Sequence, residues 1–164
     1  MPKEIERKFL TANDGWRDLV EGVYLCQGYL STDKQCAVRV RIAGNSAFIG
    51  IKGENDGPTR LEFEYPVPLE DAHLMLERLA KRPLIEKTRY AVPFAGLIWE
   101  VDEFHGDNQG LVIAEVELED ESQVFARPDW AGREVTGDSR YYNANLVEFP
   151  YKKWPCPKAH RYSS

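Results

Sequence analysis

Charged residues recur at every second position along the opening segment Glu4-Ile5-Glu6-Arg7-Lys8-Phe9. A β-strand sends residues i, i+2 and i+4 to one face, so Glu4, Glu6 and Lys8 form one row with Ile5 and Phe9 opposite. The same period places Arg39 and Arg41 opposite Val38, Val40 and Ile42, and puts Lys52 beside Gly50, which leaves room next to it. Glu62 and Glu64 lie opposite Leu61, Phe63 and Tyr65, and Lys87 and Arg89 share a row. Asp102, within Trp99-Glu100-Val101-Asp102, and the pair Glu115 and Glu117 supply further acidic rows.

A sheet with one wet side also shows charged rows against apolar ones. Here, however, the signs are sorted, with cations on some strands and carboxylates on others. If the strands close, six cations and seven carboxylates confront one another across a lumen, where unpaired charge is costly and must be neutralised. Two divalent cations would turn the single excess negative charge into about three positive ones. That complements a triphosphate carrying roughly four or five negative charges, on the usual charge per phosphate. Hard oxygen ligands suit magnesium or manganese, and Arg and Lys grip phosphate oxygens. The rows therefore point to a polyphosphate-plus-metal site.

Mostly strands must position these rows. Beyond the opening strand, alternation predicts strands near residues 23–31, 36–43, 46–53, 60–67, 84–92, 97–105 and 111–119, with a tight turn at Gly44-Asn45. The segment Asn13–Val20 reads as a short amphipathic turn or helix, and Gln123–Ala126 as a helical turn. Apolar spacing predicts a helix over Leu69–Lys81, ended by Pro83, and a last helix over Ser139–Leu146. Residues 1–164 read as one domain, with 150–164 as a surface tail. Eight antiparallel strands suffice to close a barrel, so the expected class is α+β, a β-barrel with covering helices on its apolar rows.

A net charge of −6 argues against a nucleic-acid module, which needs a surplus of Lys and Arg. No apolar stretch approaches the ~20 residues that cross a bilayer, so no membrane partner is expected. Cys26, Cys36 and Cys156 lack metal-ligand spacing, and the cytoplasm is the expected compartment. His73 reads as a surface residue, His105 as a weak candidate near a tunnel mouth, and Trp16, Trp99, Trp130 and Trp154 as packing anchors.

The ordered set resembles the CYTH superfamily, the triphosphate tunnel metalloenzymes. Glu4-Ile5-Glu6-Arg7-Lys8 looks like the ExExK signature of that family. The likeness continues through Arg39-Val40-Arg41, Lys52, Glu62-Phe63-Glu64, Lys87-Thr88-Arg89, Asp102, Glu115-Val116-Glu117 and Gly132 to Tyr141. It implies an eight-stranded antiparallel tunnel that acts on a triphosphate with Mg2+ or Mn2+. The implied metal carboxylates are Glu4, Glu6, Glu115 and Glu117, joined by Asp102 and by Glu62 or Glu64. Lys8, Arg39, Arg41, Lys52, Lys87 and Arg89 would hold phosphates, with Lys8, Tyr29 and Lys87 as catalytic candidates. The short chain looks like the bacterial members that hydrolyse inorganic tripolyphosphate. Adenylate cyclisation, thiamine triphosphate hydrolysis and a non-catalytic polyphosphate-binding module stay open, as does a homodimer.

Overall fold

The computed structural model describes residues 2–155. Nine strands occur in the order β1 (Lys3–Thr11), β2 (Val23–Asp33), β3 (Cys36–Ala43), β4 (Ser46–Gly53), β5 (Thr59–Pro66), β6 (Ile85–Phe94), β7 (Leu97–Phe104), β8 (Val112–Glu117) and β9 (Ala131–Glu134). Two α-helices, α1 (Leu69–Arg78) and α2 (Asn143–Glu148), follow β5 and β9.

The antiparallel ladder runs β5-β4-β3-β2-β6-β7-β8-β1, and β1 pairs back with β5, so eight strands close a barrel. The closing seam is short: Lys3, Glu4 and Ile5 face Leu61, Arg60 and Thr59. Farther along β1, where β5 has diverged, β9 takes its place opposite Phe9 and Thr11. Alternation did not reveal β9, because four residues are too few to display a period of two.

The β3–β4 hairpin turns at Gly44-Asn45, with Gly44 at φ +60°, a conformation open to glycine without strain. Helix α1 carries Glu70 and Asp71 in its first turn and Arg78 in its last, matching its dipole. Its buried Ala72 and Leu76 pack in one cluster with Val40 and Ala47 on the outside of the barrel. The opposite wall is covered by loops: Trp16, Trp99 and Trp130 are buried with Phe9, Val101 and Val116. The row Leu61, Phe63 and Tyr65 on β5 is exposed, so the expectation that the apolar rows lie beneath helices fails there.

Of the turn or helix expected over residues 13–20 the turn forms, because the Asn13 side chain accepts from the Gly15 backbone and Trp16 is drawn into the core. Two helical expectations are corrected. Around Gln123 the Asp120 carboxylate accepts from Ser122 in a turn without a helix. The last helix is broken at Tyr142, whose extended ψ of 130° separates a 3-10 turn at Ser139–Tyr141 from α2. The part of the expected tail within the described residues is also packed, since Tyr151 and Trp154 are buried beside Tyr141. The rest of that tail, with Cys156 and His160, lies outside the described residues.

Candidate functional site

The charged faces of the strands all turn into the lumen. A cavity of about 230 Å³ is lined by Glu4, Glu6 and Lys8 of β1, Tyr29 of β2, Arg39 and Arg41 of β3, and Lys52 of β4. Arg60, Glu62 and Glu64 of β5, Lys87 and Arg89 of β6, Glu100 of β7, Glu115 and Glu117 of β8, and Asn143 of α2 complete it. Every residue expected at the site therefore lines one cavity, except Asp102. Gly50 is part of the construction, because a Cβ there would stand 3.2 Å from the Arg39 guanidinium.

Asp102 is fully buried and behaves as a counter-ion. Its carboxylate accepts from Arg89 at 2.8 and 2.9 Å and pairs with Lys87 Nζ at 2.7 Å. With both oxygens engaged by cations and none facing the cavity, it lacks the access a metal ligand needs. Burial would raise its pKa, but Arg89 and Lys87 together hold it below the ordinary range.

Lys8 and Lys87 are shifted in opposite directions. Burial lowers Lys87 to about 7 despite Asp102, with Arg89 and Arg41 adding to the effect. Burial would also lower Lys8, yet Glu115 at 3.4 Å and Glu6 at 3.6 Å raise it above the ordinary lysine range. Such opposed environments separate a group able to take a proton from one that stays charged. Arg41 is exceptional in another way. It has no ion pair among the described residues, its Nε donates to the neutral Gln27 Oε1 at 3.0 Å, and desolvation with Arg39 and Arg89 nearby lowers it to about 10.

The carboxylates are crowded. Burial and the neighbouring Glu115 hold Glu6 well above the ordinary range, while Glu117 is raised by burial and by Glu4, Glu62 and Glu100. Lys52 lies between Glu4 at 3.1 Å and Glu62 at 3.2 Å, and Arg39 meets Glu64 at 3.1 Å. Among the described residues no three acidic, histidine or cysteine groups form a ready-made cage. A hard cation still suits this oxygen set, since magnesium typically uses one or two carboxylates, substrate phosphates and water.

Sequence reading missed four side chains. Arg60 shares the parity of Glu62 and Glu64, and Glu100 shares that of Asp102, so alternation could have included both. Gln27 likewise shares the parity of Tyr29. Asn143 comes from a helix, and no strand pattern could have placed it. His73 is exposed, and His105 bonds Thr88 Oγ1 at 2.7 Å without lining the cavity.

A profile of the CYTH domain matches residues 2–148. The inorganic triphosphatase of Acetivibrio thermocellus is 52% identical over 154 residues, covering 94% of this chain and 99% of its own. That of Nitrosomonas europaea is 38% identical over 148 residues, covering 88% and 96%. The crystal structure of an inorganic triphosphatase superposes with a TM-score of 0.63 at 36% identity, covering 90% of this chain and 95% of that one.

Proposed function

The chain belongs to the CYTH domain family, and from that premise we propose that it hydrolyses inorganic tripolyphosphate to diphosphate and phosphate with Mg2+ or Mn2+. The carrying observation is the guanidinium of Arg41, the one cation lining the cavity without an ion pair among the described residues. A desolvated cation without a carboxylate partner favours an anionic guest, and Arg is suited to bidentate phosphate contacts.

Glu4, Glu6, Glu62, Glu115 and Glu117 would hold the metal ion together with phosphate oxygens. When bound, the ion neutralises phosphate charge and polarises the reacting phosphorus. Arg39, Arg41, Lys52, Arg60 and Arg89 grip the phosphates. Lys8 remains charged and stabilises negative charge as the bridging P–O bond breaks. Lys87 in its neutral form takes a proton from the water that attacks a terminal phosphorus in line, and diphosphate leaves. Asp102 orients Lys87 and Arg89, and Tyr29, buried to 6% exposure at the cavity wall, limits water access.

Phosphate release from tripolyphosphate, ATP and thiamine triphosphate, with magnesium, manganese or chelator, tests the assignment alongside an assay for cyclic AMP from ATP. Metal-dependent release with tripolyphosphate as the preferred substrate is the expected result. Cyclic AMP formation, or triphosphate binding without turnover, would overturn it.

A further inference from the structure

Gln27 does not line the cavity, yet it is fully buried and every polar atom of its side-chain amide is engaged by a group that does. Its Oε1 accepts from Arg41 Nε at 3.0 Å, and its Nε2 donates to Asn143 Oδ1 at 3.0 Å. The same Asn143 oxygen accepts from Lys87 Nζ at 2.8 Å. A guanidinium can only donate, so Gln27 must turn its oxygen to Arg41 and its nitrogen to Asn143. Asn143 must then present oxygen to both Gln27 and Lys87. The direction of both amides follows from Arg41 alone.

We propose that Gln27 and Asn143 form a polarised amide relay that positions Lys87 against Arg41 for the reaction at the tunnel floor. This rests on the reading of Lys87 as a catalytic group. Of three positions around Lys87 Nζ, Asp102 takes one and Asn143 a second, which leaves the third directed by both. Neutral or charged, the amine keeps two N–H groups for these acceptors, so the third position carries either a proton or the lone pair. The chain geometry supports the assignment. The extended break at Tyr142 starts α2 at Asn143, and the helix begins without a side-chain cap. Asn143 is the first residue of that helix, and its side chain reaches the tunnel.

The relay has a signature that packing alone lacks. Gln27→Glu is isosteric and still accepts from Arg41, but it cannot donate to Asn143. Asn143 then reverses, and its NH2 group faces Lys87 Nζ, which loses that acceptor. Gln27→Met leaves Asn143 free to keep its orientation. With magnesium and tripolyphosphate, Gln27→Glu should lower kcat about 100-fold, on the scale of a lost positioning contact, and its carboxylate, now paired with Arg41, should also raise KM. Gln27→Met should lose less. Because Gln27→Glu acts on kcat through Asn143, its effect on kcat should nearly vanish in an Asn143→Leu background, a coupling that a double-mutant cycle reads directly. Asn143→Asp still accepts from both neighbours but raises the Lys87 pKa by its charge, so it should restore much of the kcat lost in Asn143→Leu at a pH above the shifted limb.

Independent, multiplying kcat losses for Gln27→Glu and Asn143→Leu, or a loss confined to KM, would overturn the relay. Lys87→Met separates this result from the reading beneath it, since retained kcat there refutes the catalytic role of Lys87. In that event the side-chain amide resonance of Asn143, followed by 15N NMR, decides the relay without turnover. It should move in Gln27→Glu and stay in place in Gln27→Met, and an unmoved resonance in Gln27→Glu would refute the relay.

Discussion

At the tunnel floor Lys87, Arg89 and Asp102 are locked together at 2.7 to 2.9 Å with Asp102 fully buried. At the acidic rim Glu62, Glu64 and Glu100 each meet one cation at 3.1 to 3.3 Å and are more open to solvent. Glu117, also exposed, has no ion pair among the described residues. The floor satisfies its charges with protein groups, so its geometry exists before any ligand arrives. The rim leaves carboxylates facing one another, so its electrostatics are completed from outside. A single lumen thus combines a preorganised half with one that responds to metal ions.

The largest expected effect separates the halves by stability. Asp102→Ala should cost about 3–5 kcal/mol in urea unfolding, because it leaves the buried Lys87 without its ion-pair partner and Arg89 with Glu100 alone. Glu62→Gln, at a partly solvated pair, should cost less than about 1 kcal/mol. Equal losses would erase the distinction between floor and rim.

Activity should divide along the same line. Lys87→Met should lower kcat by about 10²–10⁴-fold, the usual contribution of proton transfer, at saturating magnesium. Glu4→Gln or Glu117→Gln should instead raise the magnesium concentration for half-maximal rate by about tenfold, equivalent to about 1.4 kcal/mol. If added magnesium fully rescued Lys87→Met, the two roles would have to be exchanged.

Titration sharpens the comparison further. A base must be neutral, so kcat should rise with pH through about 7, the value Lys87 reaches by burial, and Lys87→Met should lose that limb. On the acid side Glu6 and Glu117 are raised, by burial first and then by their acidic neighbours, so magnesium affinity should begin to fall above the ordinary carboxylate range. Asp102 has a depressed pKa in the fold. Its stabilisation is present above the unfolded aspartate pKa and is lost only as pH falls through the lower folded value. Calorimetric magnesium titration beside urea unfolding should show binding failing at a higher pH than the floor does. The smallest effect lies outside the lumen, where Phe63→Ser on the bare wall of β5 should change stability by about 0.5 kcal/mol or less.

The rows of the lumen were legible because a β-strand converts parity in sequence into sides in space. Parity also distinguished Lys52 from Ile51 and Arg41 from Ile42 before any register was known. It could not distinguish Asp102, a buried counter-ion, from Glu115, a carboxylate at the cavity, since both stand on the inner face and differ only in depth. Nor could it reach Asn143, whose arrival depends on a break in the helix and on packing across the barrel. The helix signal failed near Asp120 for a local reason: its side chain bonds a nearby backbone group and stabilises a turn instead, as the Asn13 side chain also does.

The seam through β1 also bears on how the chain assembles. Glu6 lies opposite Glu117, and Phe9 opposite Glu134, more than a hundred residues later. Contacts of such separation are slow to form, and during synthesis β1 must wait with an open edge until its partners emerge. Catalytic competence and completion of the ring should therefore appear together in refolding, with turnover serving as a clock for the last strand to be enclosed.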